Sequence, residues 1–283
     1  MTKPVQNWSM EIKSERRLLS IPVGEIWAYR DLMVLLVRRD FVAMYKQTIL
    51  GPLWFLIQPV LTTLVFTFVF GRIAKISTDE LPQMLFYLAG ITCWTYFSES
   101  LTKTSETFTT NANIFGKVYF PRVIVPLSII VSNLLKFGVQ FILFLVFVGY
   151  YMLAGANVQM NQAVFLLPLL VALMGGLGLG MGMIISAMTT KYRDLRFLLT
   201  FAVQLFMYAT PVIYPLSTVP EKYRLLFLAN PVSPIVETFR YGFLGKGTFE
   251  PTHLLYSGGC MILILGVAMV IFNQVEKNFM DTV

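Results

Sequence analysis

"FGVQFILFLVFVGYYMLAGANVQMNQAVFLLPLLVALMGGLGLGMGMIISAMTT" (residues 137–190) runs for 54 residues without an acidic or basic side chain. A helix rises about 1.5 Å per residue, so about 20 residues cross a hydrocarbon core about 30 Å thick. The run is long enough for parts of two crossings, and "AGANVQMNQ" (154–162) supplies a polar break between them. Residues 52–70, 81–98, 197–220 and 254–275 are likewise free of charge. Over the whole chain of 283 residues only 13% are charged, against about 25% in a soluble domain. Only helices and closed barrels satisfy their backbone polar groups in lipid, and none of these runs alternates as barrel strands do. The expectation is an all-α integral membrane protein with six transmembrane helices, at about 52–73, 82–103, 122–152, 163–189, 197–215 and 253–275.

Where the charges do fall orients those helices. With the N-terminus inside, segments 1–51, 103–122, 191–196 and 276–283 hold fifteen of the 22 Lys and Arg. The other side holds Arg72, Lys75, Lys222, Arg224, Arg240 and Lys246, while Lys136 lies within a span. Basic residues concentrate on the cytoplasmic face, so both termini are expected there. The net charge of +7 is therefore read as a topology signal and not as a nucleic-acid footprint. Residues 1–20 are polar and lack the apolar core of a signal peptide.

Two further segments are neither spans nor plain loops. Within 21–50, Ile26, Met33, Val34, Val37, Phe41 and Met44 fall on one side of a helix, roughly opposite Asp31, Arg38, Arg39 and Lys46. That pattern predicts an amphipathic helix in the cytoplasmic interface, so residues 1–51 form one unit and 52–283 the transmembrane domain. Residues 216–247 are too apolar for a free loop and too rich in proline for one long helix. Two short re-entrant helices broken at "NPVSP" (230–234) are expected, buried in protein or facing a cavity.

Catalytic and nucleotide signals are missing. "GFLGKGT" (242–248) looks like a phosphate loop, but position 240 is Arg and Lys246 precedes Gly247, where G-x-x-x-x-G-K-[ST] is required. His253 is the single histidine, and Cys93 and Cys260 lie in separate spans, so no metal site is expected. Carriers coupled to protons or sodium place ionisable groups at mid-membrane. Here Glu99 and Glu106 sit toward a span's cytoplasmic end, and Lys136 is the one intramembrane candidate, either touching an anionic substrate or pairing with a neighbouring helix. Aromatics are plentiful: Trp54, Phe66, Phe70, Tyr87, Trp94, Tyr96, Phe206, Tyr208 and Tyr214 are candidates to line a passage for sugars, whose C–H faces stack on rings. Lipid-facing rings and interfacial belts are the other reading of the same residues. With no energy source in the chain, "NANIFGKVYFPR" (111–122) is expected to be a lever docking on a separate ATPase, with Phe115 as its anchor. Packing on the chain's own helices is the competing reading of that loop.

Five strings in order, "GPLWFLIQPVL" (51–61), "KVYFPRVIVPLS" (117–128), "KYRDLRF" (191–197), "TPVIYPLSTVP" (210–220) and "NPVSPIVETFRYGFLG" (230–245), carry a resemblance over nearly the whole chain. The chain resembles the membrane subunit of ABC-type exporters of lipid-linked O-antigen, capsule or teichoic acid. That resemblance implies a homodimer of a non-enzymatic permease in a bacterial inner membrane. Two cytoplasmic ATPase subunits would bind ATP and Mg, and this chain would carry no cofactor. It also implies that Asn111, Asn113, Ile114, Phe115, Lys117 and Tyr119 belong to a coupling helix, and that Tyr192, Arg193 and Asp194 form a second cytoplasmic turn. Undecaprenyl-linked polysaccharide, with O-antigen first, is the expected cargo. A drug or small-lipid exporter, a glycan-processing enzyme and an ion-coupled carrier are the rivals.

Overall fold

The computed structural model describes residues 23–46, 48–115, 120–192 and 194–278. They are helical, without strands among the described residues: α1 (Val23–Ala28), α2 (Arg30–Tyr45), α3 (Trp54–Phe66), α4 (Gln83–Ser105), α5 (Thr107–Thr110), α6 (Ala112–Phe115), α7 (Ile124–Leu153), α8 (Leu167–Thr189), α9 (Leu195–Tyr208), α10 (Glu221–Leu228), α11 (Ser233–Leu244) and α12 (Pro251–Asn278). Short turns extend two of them, so that Gly51–Ile73 and Gln162–Thr189 are continuous helical segments. With Ile124–Leu153 and Pro251–Val275 these are long and apolar enough to cross a membrane. The break expected at 154–162 falls between α7 and the Gln162–Leu166 turn, where Asn161 caps by accepting from the Ala163 amide at 2.9 Å.

The two remaining expected spans behave differently. α4 has 23 residues, sixteen of them buried, because α3, α7 and α8 pack around it. A helix sheathed by protein need not be uniformly apolar, and Thr92 and Ser100 are fully buried on it. α9 stops at Tyr208, short of the expected 215, and its 14 residues reach only about 21 Å. Pro211 ends it, because proline has no N–H and disfavours helix in the residue before it. The turn that follows is tied down by Asn230 Nδ2 donating to Thr210 Oγ1 at 2.8 Å and by Tyr214 donating to the Tyr208 carbonyl at 2.6 Å. Residues 216–247 form the two short helices α10 and α11, parted at 229–232. Gly245, at φ +76°, caps α11 in the left-handed conformation open to glycine.

Of the apolar stripe expected on α2, Met33, Val37 and Phe41 are half-buried. On α2 the residue sunk into the protein is Leu36, with Tyr29, Leu32 and Met33 partly buried beside it, while Val34 is 63% exposed. This face packs against α7, a surface the sequence pattern alone could not supply.

Small residues set the closest helix contact. A Cβ on Gly178 would lie 2.8 Å from Ser100 Cβ, and one on Gly182 would lie 2.6 Å from Thr104 Cβ, so α4 and α8 touch nearly backbone to backbone. Gly182→Ala is expected to destabilise the protein by about 1–3 kcal/mol, the usual cost of overpacking. Gly149→Ala, with nothing within 4 Å, is the neutral control. Thermal unfolding of both variants in detergent checks this, and equal melting temperatures would refute the contact.

Candidate functional site

The expected coupling loop lies at the end of the bundle where α4 and α8 terminate. Asn111 is buried; its carbonyl accepts from Ile114 and Phe115 at 3.0 and 3.1 Å, which turns the chain into α6. Phe115 is only 4% exposed. Its ring lies 5.9 Å from Phe108 and 5.8 Å from Phe120, with the Arg122 guanidinium 5.4 Å away. Phe108 in turn stacks on Phe272 of α12 at 4.6 Å. Phe115 therefore faces inward, and the expectation that it is an exposed anchor is corrected. Phe120 is buried in the same cluster. Burying these rings among the chain's own helices removes apolar surface from water without any partner.

Ile114 is half-buried, and Asn113 belongs to α6. Lys117, Tyr119 and Arg193 lie outside the described residues. In the α8–α9 turn Tyr192 is 53% exposed, with Lys191 Nζ 5.4 Å from its ring, and Asp194 is exposed. The two connections are bonded to each other. The Phe108 amide donates to Ser186 Oγ at 3.3 Å, Thr189 Oγ1 donates to the Ser105 carbonyl at 3.3 Å, and Arg196 donates to Thr109 Oγ1. The segments flanking the exposed Tyr192 turn are thus joined to α5 and the end of α4 by hydrogen bonds.

Lys136, left open by the sequence, pairs with Glu99 across α4 and α7. Glu99 also takes Lys103 at 3.1 Å, and Lys103 reaches Asn133 Oδ1 at 3.0 Å. Each part-buried charge is compensated, the condition on which charges persist away from water. This cluster thereby assigns Lys136 a helix-pairing role.

A second ionic pair escaped the sequence reading, which placed Arg240 in an outside loop. Arg240 is 1% exposed and Glu237 2%, with 3.5 Å between Nη1 and Oε1. The guanidinium also donates to the carbonyls of Pro211, at 2.5 Å, and Val212, at 2.6 Å, and lies 3.7 Å from the Phe86 ring centroid. Glu237 Oε2 accepts from the Thr248 amide at 3.3 Å. One planar, multi-donor side chain thus holds the turn after α9 onto α11, a task suited to Arg. Gly90 of α4 makes room, since a Cβ there would lie 2.6 Å from Arg240 Nη2. Nearby, Ser217 Oγ lies 2.8 and 2.9 Å from the two Asp79 oxygens, and Lys246 meets Glu80 at 3.0 Å. Asp79 and Glu80 sit at φ +51° and +65°, so these bonds hold a strained loop. "ETFRYG" (237–242), with both ions one helical turn apart, was the signal available.

The family model for the ABC-2 type transporter matches residues 31–244, from the first turn of α2 to the last residue of α11. The chain belongs to the ABC-2 type transporter family. It is 26% identical to the O-antigen export system permease protein RfbA of Klebsiella pneumoniae, over 89% of this chain and 94% of that protein. To the O-antigen export system permease protein RfbA of Myxococcus xanthus it is 28% identical, over 92% and 98%. The polysialic acid transport protein KpsM of Escherichia coli is 20% identical over 82% of this chain and 89% of its own.

In this ABC-2 transporter protein the aromatic candidates separate by burial. Tyr87, Trp94 and Tyr96 are buried in the main core; Phe66, Phe70, Phe206 and Tyr214 are half-buried against it; Trp54 and Tyr208 are each 47% exposed. Trp94 packs on Phe97 and Phe206 at 5.5 and 5.9 Å, and Tyr96 on Phe137 at 5.2 Å. As a continuous sugar-facing row the nine are not brought together. Phe66 and Trp94 both line a cleft between α3, α4, α7 and α9.

Proposed function

We propose that the chain is the permease subunit of an ATP-driven exporter moving undecaprenyl-linked polysaccharide, with O-antigen as cargo, across a bacterial inner membrane. The observation that carries this is the near end-to-end match to O-antigen export permeases, spanning 94–98% of those proteins. In this reading α4 and α9 complete six spans, α10 and α11 are re-entrant near the external exit, and α2 rests in the cytoplasmic interface with both termini inside. The permease works as a homodimer with two ATPase subunits, which bind ATP and Mg. The exposed turn bearing Tyr192 and Asp194 docks on the ATPase. Capsular polysaccharide is the second reading, favoured by the similarity to KpsM.

Deleting the gene should remove O-antigen from the cell surface while its precursor accumulates inside, and should leave capsule intact. The tagged chain should co-purify with an ATPase and, alone, bind no ATP. Unchanged surface O-antigen in the deletion strain would sink the proposal, and selective loss of capsule would establish the second reading.

A further inference from the structure

We propose that the cleft between α3, α4, α7 and α9 is a binding subsite for one neutral sugar unit, with the Gln140 side chain as its polar anchor. The inference rests on the polysaccharide-export reading and assigns that cargo a place on the chain. Gln140 lies midway along α7 and is 2% exposed. Among the described residues no group hydrogen-bonds its carboxamide, although neighbouring Asn133 has partners for both ends of its own. A carboxamide carries two N–H donors and an oxygen with two lone pairs, and buried polar groups are paired in the great majority of proteins. At mid-membrane no bulk solvent compensates it, so its retention there needs a reason.

The cleft supplies that reason. It measures about 80 Å³ and is lined by Gln140 and Thr95 beside Gln58, Phe66, Trp94 and Met207. The Gln58 carboxamide, on an exposed residue at the mouth, also has no partner among the described residues, whereas the Thr62 hydroxyl is spent on the Gln58 carbonyl at 2.9 Å. No charged residue lines the cleft. A phosphate or carboxylate would find no counter-ion here, and an acyl chain would leave both amides unpaired. A sugar ring offers what the lining lacks: hydroxyls that both donate and accept, for the two amides, and a C–H face for the half-buried Phe66. Because amides fit many hydroxyl arrangements, such a subsite holds a unit without fixing its identity, which suits a chain that must advance.

Gln140→Met tests this, since methionine keeps nearly the same length and volume and removes only the amide. The variant is expressed in the deletion strain with its ATPase, and surface O-antigen is measured beside the melting temperature of the complex in nanodiscs. Export should fall at least tenfold while the melting temperature stays equal or rises, because the amide removed makes no bond within the chain. A lowered melting temperature would assign Gln140 a structural role and overturn the subsite, as would normal export. Should Gln140→Met fail to assemble, Gln58→Met decides: a severalfold drop in export is expected, and normal export overturns the proposal. Loss of export in the deletion strain separates these outcomes from failure of the export reading itself.

Discussion

Arg240→Met is expected to lower the melting temperature of the detergent-purified protein by on the order of 10 °C and to cut the yield of folded material. Removing one member of a buried ion pair costs about 3–5 kcal/mol, because the other charge is left uncompensated. A kilocalorie shifts the midpoint of a domain this size by about 2–4 °C. Here the loss is compounded. Arg240 is among the largest fully buried side chains of the described residues, and its guanidinium also satisfies the carbonyls of Pro211 and Val212. Arg240→Lys should recover little, since one ammonium cannot reach Glu237 and both carbonyls in a fixed plane. Glu237→Gln combined with Arg240→Met should recover part of the loss, by removing the stranded carboxylate. If Arg240→Met melted within two or so degrees of the parent, the clamp described here would be wrong.

Phe115→Asp is expected to prevent accumulation of folded protein, not merely to detach a partner. Truncating a buried Phe costs about 3–5 kcal/mol, and a carboxylate placed among Phe108, Phe120 and Phe272 adds a desolvation cost. Phe115→Leu keeps an apolar side chain and should lose only about 1–2 kcal/mol. Tyr192→Ala, at an exposed position, should leave stability within about 0.5 kcal/mol while weakening co-purification of the ATPase. Size-exclusion profiles of the three variants, with the ATPase co-expressed, read both effects at once. A Phe115→Asp protein that folds normally but purifies without its ATPase would restore the exposed-anchor reading.

The loop around Phe115 shows why part of the site was illegible in the sequence. An aromatic run on a short loop is the same string whether its rings insert into a partner or beneath the chain's own helices. What distinguishes the cases is that Phe115 shares a buried cluster with Phe272 and Leu36, residues far away in the chain. Lys136 posed the same problem: a cation in an apolar run is visible, but its partner Glu99 is 37 positions away on another helix. Tyr87 and Tyr96 illustrate the converse, since their ring chemistry suggested sugar contact while their neighbours place them in the core. Gln140 drew no notice because a glutamine in an apolar run carries no charge and no motif.

By itself the sequence determined the helical membrane class, the extents of the four clearly apolar segments, the break at 154–162 and the two short helices at 216–247. Those features depend on local quantities: the number of uncharged residues needed to cross a bilayer, and the positions where proline and glycine stop a helix. The tertiary structure alone decided which face of α2 is buried, that α4 is the central helix, and that Phe115 points inward. It also paired Glu99 with Lys136, and brought Arg240 onto carbonyls 28 and 29 positions earlier in the chain. Each of these is a contact between segments distant in sequence, and its energy comes from desolvation and charge compensation that exist only once the helices have packed.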